Sequence, residues 1–308
     1  MYNIYSNKLI RGAFYCLVSF ALISSLLPLT PDCMGVQAQT NLVDIHVGVY
    51  NGLGADDDCT TALYSLLAWM GPTVTWVDHV SIHNGILNTL DLLAFPGGSP
   101  DTYTAMLGDV GIQRIQQFVE NGGSYFGICG GGMFATRSLN LCEGYWVYPI
   151  PGISAGIQLA ELNVNQASTG PDLSEEPATY EVLYWGSHYF LPTNSDDIIP
   201  VMSYAANDGV AMCVSHYGHG TSFICGPHPE FEEGSDRDGT TRYDYLDDPD
   251  SEWGLLEKVT QWLIDESPYS PPPNPFTGME GIFIVVGITT IIAVVGVAAF
   301  VLWKRKRP

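Results

Sequence analysis

The chain has 308 residues, with 33 Asp and Glu against 11 Lys and Arg and a formal net charge of −22 at pH 7. Six of the basic residues (Lys8, Arg11, Lys304, Arg305, Lys306 and Arg307) lie in the two end segments, which leaves five between them against 32 acids, all but Asp32. So acidic a surface repels phosphate backbones and anionic headgroups, so no nucleic-acid partner is expected; the length suffices for one large or two small well-buried domains.

At the N-terminus, Lys8 and Arg11 precede an apolar run from Gly12 to Leu29, and "VQAQ" at 36–39 follows with its small Ala38. This is the layout of a secretory signal peptide over residues 1–39, with a retained first transmembrane helix as the alternative. Pro28 and Pro31 close the run early, which favours the signal peptide.

Residues 41–266 form the expected domain, in which strand and helix patterns alternate. "DIHVGVY" (44–50) reads as a strand, "DDDCTTALYSLLAWM" (56–70) as a helix with acids in its first turn, and "TVTWVD" (73–78) as a strand. "LDLLAF" (90–95) is an apolar strand running into "PGG". "VGIQRIQQFVENGG" (110–123) is an amphipathic helix stopped by Asn-Gly-Gly, and "SYFGI" (124–128) is the next strand. Alternation of this kind predicts an α/β sandwich with a mostly parallel sheet, in which sites form at the carboxyl ends of strands.

Cys129 sits at one such end, inside "YFGICGGGMFA" (125–135). Gly127, Gly130, Gly131 and Gly132 permit a sharp strand-to-helix turn, and the following helix aims free N–H groups and its positive end at the sulfur. That placement favours a thiolate nucleophile; an inert cysteine in a glycine-rich loop has the same local pattern. Further on, "CGPHPEF" (225–231) follows the strand "TSFICG" (221–226). It presents His228 and Glu230 two residues apart across Pro229, so both can project to one side. A cysteine nucleophile needs a base, and the base needs an acid to fix its tautomer; Cys129, His228 and Glu230 supply all three. "EVLYWGSHYF" (181–190) reads as a strand carrying Tyr184, Trp185 and His188, either an aromatic wall for a substrate or core packing.

These blocks resemble the class I glutamine amidotransferase-like superfamily through "FPGG" (95–98), the G-x-C turn (127–129) and "HPE" (228–230). With "VYNGLGADDDC" (49–59), "FPGGSPDTY" (95–103), "VENGGSYFGICGGGMFAT" (119–136), "YWGSHYF" (184–190) and "GPHPEF" (226–231), they are more closely similar to the N-terminal domain of eukaryotic biotin-protein ligases and its free-standing relatives. The resemblance implies a flavodoxin-like three-layer sandwich, Cys129, His228 and Glu230 as a triad, and an oxyanion hole built from backbone N–H groups around Gly97, Gly98 and Gly130. The lysine-bearing nucleotide motif of the ligase catalytic domain is absent, so biotin transfer is not implied. True glutamine amidotransferases carry glutamine four residues after the nucleophile; this chain has Met133, a further substrate-contact candidate, which speaks against glutaminase activity. The expected function is thiol-dependent hydrolysis or acyl transfer on an amide or ester of a small molecule or peptide, without metal or cofactor. The alternative is a non-catalytic ligand-binding or sensor module.

"VAMCVSHYGHGTSFIC" (210–225) reads as a hairpin. A three-residue loop centred on His219 would set Cys213 opposite Cys225, within reach of a disulfide; a two-residue turn would offset them by one. Beyond the domain, the proline-rich segment 267–280 is a stiff extended spacer. Gly281 to Trp303 is an uncharged apolar run of 23 residues, which at ~1.5 Å per residue spans a ~30 Å hydrocarbon core. "KRKRP" (304–308) then stays cytoplasmic by the positive-inside rule. The expected protein is a single-pass cell-membrane protein anchored in the bilayer by residues 281–303, with its folded domain outside.

Overall fold

The computed structural model describes residues 42–232, 235–248 and 250–267. The expected signal peptide, most of the spacer, the apolar run 281–303 and the basic tail lie outside these residues. Among the described residues no helix is long and apolar enough to cross a membrane.

The parallel half of the sheet follows from the apolar runs of the sequence. β1 (His46–Tyr50), β2 (Thr73–Val77), β3 (Leu92–Phe95), β4 (Ser124–Ile128) and β11 (Gly220–Cys225) lie in the order β2-β1-β3-β4-β11, every neighbouring pair parallel. Beyond β11 the sheet continues antiparallel through β10 (Val210–Tyr217), β9 (Ile199–Tyr204), β6 (Ile157–Val164) and β7 (Thr179–Trp185); β5 (Gly144–Val147) pairs with β8 (Tyr189–Pro192), which joins β10.

Helices cover both faces of the parallel half. On one face α1 (Asp57–Trp69) and α5 (Trp253–Asp265) bury Leu63, Leu66, Leu256 and Val259 against Val47, Val49, Leu92, Ala94, Phe126 and Phe223. On the other, α2 (His79–His83), α3 (Pro100–Glu120) and α4 (Gly130–Arg137) bury Ile82, Leu107, Ile115, Val119 and Phe134 against Leu93, Phe95, Tyr125 and Ile224. Adjacent residues of one strand thus enter opposite cores, which is why these strands read as continuous apolar runs. Each fully buried large side chain contributes about 1.5–3 kcal/mol.

Several boundaries have local causes. Asp56 caps α1 by accepting from the backbone N–H groups of Asp58 and Cys59. α3 starts ten residues before the expected 110, with Ser99 as cap and Pro100 in its first turn; Gly108, at φ 56° and ψ −178°, breaks it and interrupts the periodicity that marks the second half. The expected single strand over 181–190 is two, β7 and β8, separated at Gly186–His188.

Of the two hairpin readings the structure has the two-residue turn, and the possible Cys213–Cys225 disulfide does not form. The hairpin turns through two residues, Gly218 and His219, so Tyr217 faces Gly220, Cys213 faces Ile224 and Cys225 faces Met212. The one-residue offset sends the two thiols to opposite cores of the sheet. All five described cysteines are free. Cys213 instead lies beside Cys142. Peptide mapping of unreduced protein is expected to find no Cys213–Cys225 cross-link, and recovering that linked peptide would refute this register.

Candidate active site

Parallel pairing aligns Ile128 with Cys225 and Phe95 with Gly127, so the carboxyl ends of β3, β4 and β11 emerge side by side. The segments they release are the turn 96–98, Cys129 and the 226–231 loop. Cys129 stands between β4 and α4 with φ 50° and ψ −108°, a left-handed conformation that costs a non-glycine residue about 1–3 kcal/mol. Its N–H donates to the Cys225 carbonyl at 2.8 Å and its carbonyl accepts from Met133 at 2.9 Å, which over-determines the turn. Cys129 remains partly accessible.

The glycines around it are required by contact. A β-carbon at Gly130 would lie 2.2 Å from the Gly98 carbonyl oxygen, and one at Gly131 would lie 2.2 Å from that of Phe95. A β-carbon at Gly98, whose φ is 153°, would meet the Gly54 carbonyl. Gly97, Gly98 and Gly130 are therefore brought together. Around them the Asp56 N–H donates to the Gly97 carbonyl, the Ser99 N–H to that of Gly54 and the Gly131 N–H to that of Pro96.

His228 and Glu230 are both buried, with 1% and 0% exposure. His228 Nδ1 donates to Glu230 Oε1 at 2.9 Å, and the His228 backbone N–H is tied to the Leu183 carbonyl of β7 at 2.9 Å. Its other ring nitrogen, Nε2, is buried without a hydrogen-bond partner among the described residues. Burial works to lower the pKa of His228, but the Glu230 carboxylate, and after it the Cys129 and Cys59 sulfurs, outweigh burial and hold the imidazole well above its ordinary value. Cys129 is thus close enough to act on His228.

The other expected contacts divide. Trp185 is half-buried, its ring tilted against His228 at 5.4 Å between centroids. Tyr243 meets it edge-on, and the Arg242 guanidinium lies 4.5 Å over its face while pairing with Asp58. Tyr184, one residue earlier on β7, faces the opposite core: it is fully buried beside Tyr204 and offers no surface to a substrate, so packing and not contact is its role. His188 is half-buried beside Tyr148, with burial and then Arg137 holding its imidazole below the ordinary value. Met133 lies half-buried in the first turn of α4.

One site residue went unread in the sequence. Cys59, in the first turn of α1, is buried with Sγ 3.9 Å from His228 Nδ1, and burial pushes its thiol up to about 12 against the opposing pull of His228. The signal was present: "GADDDC" follows the carboxyl end of β1 and leads into a helix, the same placement that marks Cys129.

Over 73% of this chain and 99% of the other, the structure matches a glutamine amidotransferase from Thermotoga maritima with a TM-score of 0.50 at 13% identity. A cytoplasmic protein from Salmonella typhimurium LT2 matches over 71% and 99% with a TM-score of 0.51 at 9% identity. Likeness at such identity is likeness of fold, the flavodoxin-like fold of class I glutamine amidotransferases. In sequence, residues 45–152 match the family described as "Biotin-protein ligase, N terminal". The biotin–protein ligase of Schizosaccharomyces pombe is 28% identical over 231 residues, 66% of this chain and 37% of the ligase. Residues 45–152 are thus similar to the N-terminal part of biotin–protein ligases, and the chain spans little more than a third of that relative's length.

Proposed function

We propose that this domain is a thiol hydrolase or acyltransferase acting on an amide or ester carbonyl, with Cys129 as nucleophile. The observation that carries this reading is the pairing of a strained cysteine turn with a buried His228–Glu230 hydrogen bond at the adjacent strand end. Cys129 sulfur attacks the carbonyl carbon while His228 holds the thiol proton on Nε2, and Glu230 fixes the ring through Nδ1. The N–H groups of Gly97, Gly98 and Gly130 stabilise the oxyanion. Collapse expels the amine or alcohol, which takes the proton from His228 and leaves a thioester on Cys129. Water, or an acceptor nucleophile, then attacks the thioester, gives its proton to His228, and the released thiolate recovers it. Anchoring by residues 281–303, with the domain outside the membrane, belongs to the same proposal.

Mass spectrometry after incubation with activated acyl esters tests it. An acyl adduct on Cys129 that forms and clears, and is missing from Cys129→Ala, is the expected result. A Cys129 that stays unmodified would make the domain a non-catalytic ligand-binding or sensor module. Free glutamine is expected not to turn over, since Met133 stands at the substrate-holding position; ammonia release abolished by Cys129→Ala would contradict this.

A further inference from the structure

We propose that Cys59, His228 and Glu230 form a binding site for a thiophilic divalent cation of the zinc type, and that occupation switches the cysteine site off. The three side chains are fully buried and their donor atoms all lie within 4.8 Å of one another. Cys59 Sγ is 3.9 Å from His228 Nδ1, and Nδ1 is 2.9 Å from Glu230 Oε1. Tetrahedral zinc with ordinary Zn–S and Zn–N distances places neighbouring donors about 3.3–3.6 Å apart, between these two values, so small side-chain shifts suffice. The donor set of one thiolate, one imidazole and one carboxylate selects a borderline-soft cation and leaves a fourth position open. The second carboxylate oxygen, Glu230 Oε2, is buried without a hydrogen-bond partner among the described residues, so a cation there would satisfy an atom the protein leaves wanting.

Coordination balances without a redox partner. The cation displaces the Cys59 thiol proton to solvent and takes the place of the proton on Nδ1, which leaves to solvent from an imidazolium or moves to Nε2 of a neutral ring. A neutral imidazole bound through Nδ1 must carry its remaining proton on Nε2. That nitrogen then donates and cannot accept a proton from Cys129. The cation site stands on geometry alone; the switching-off rests on the reading of His228 as the base for Cys129.

The reduced full chain titrated with cobalt(II) alone, and separately with zinc(II) alone, tests both. One equivalent of cobalt is expected to give a thiolate-to-metal charge-transfer band that Cys129→Ala keeps. Cys59→Ser should abolish it and weaken affinity by more than the ~10–100-fold that losing an outer-shell partner costs. Cys59→Ala, which adds no polar atom, serves as the second variant if the serine form does not fold. No band in the wild type, or a band lost with Cys129→Ala and kept with Cys59→Ser, overturns the site. Zinc is further expected to slow iodoacetamide alkylation of Cys129 in the wild type, to be reversed by chelator, and to have no effect in Cys59→Ser. Unslowed alkylation beside an intact cobalt band overturns the switch and, with it, implicates the reading of His228, while the site itself stands.

Discussion

Replacing His228 by glutamine is expected to slow iodoacetamide alkylation of Cys129 at neutral pH by about 10²–10⁴-fold, the range a positioned base contributes. His228 is the imidazole that the buried Glu230 orients, while the His188 ring packs on Tyr148. Glutamine also removes the partner of a carboxylate with 0% exposure, and an uncompensated buried charge costs about 3–5 kcal/mol. The single variant therefore confuses loss of the base with loss of the fold. The double variant His228→Gln/Glu230→Gln replaces the charged pair by two neutral amides and is expected to melt closer to the wild type while remaining slow. A folded double variant that alkylates at the wild-type rate would show that His228 does not take the Cys129 proton.

Much of the parallel half was legible because its signals are local. The strand 124–128 coincides with β4, and Asp56 with the first-turn acids locates the start of α1. Cys129, His228 and Glu230 were legible for the same reason, since each lies at a strand end that the residues around it define. β5, β6, β9 and α5 escaped the reading. The three strands lie in the antiparallel extension, and β5 and β6 are largely half-exposed, so neither a continuous apolar run nor a clean alternation marks them. Cys59 escaped for a different reason. Its proximity to His228 depends on the N-terminus of α1 packing beside the loop after β11, a contact between residues 169 positions apart. The hairpin register turned on one residue of loop length, which flips every side chain between faces, and the segment "YGHG" allows both turns.

The same dependence on close backbone packing makes Gly130, like Gly131, hard to replace although it is not itself chemical. An alanine β-carbon there would lie 2.2 Å from the oxygen and 2.7 Å from the nitrogen and carbonyl carbon of Gly98. All three atoms are backbone, so no rotamer relieves the contact, and either α4 or the turn 96–98 must move. Overpacking of this kind costs about 1–3 kcal/mol and more where backbone must shift. Gly130→Ala is therefore expected to lower the thermal midpoint and, in whatever fraction stays folded, to slow Cys129 alkylation by separating the elbow from the Gly97 and Gly98 donors. Gly254, exposed in the first turn of α5, is the matched control: an added β-carbon meets nothing within 4 Å. There alanine should raise stability by about 0.4–1 kcal/mol by narrowing the unfolded ensemble. Measured side by side by thermal denaturation and alkylation rate, the two changes should move stability in opposite directions, and only Gly130→Ala should touch the thiol. Equal stability and equal alkylation in Gly130→Ala would mean that the cysteine elbow does not rest on the Gly98 backbone, and the oxyanion donors would then have to be sought elsewhere.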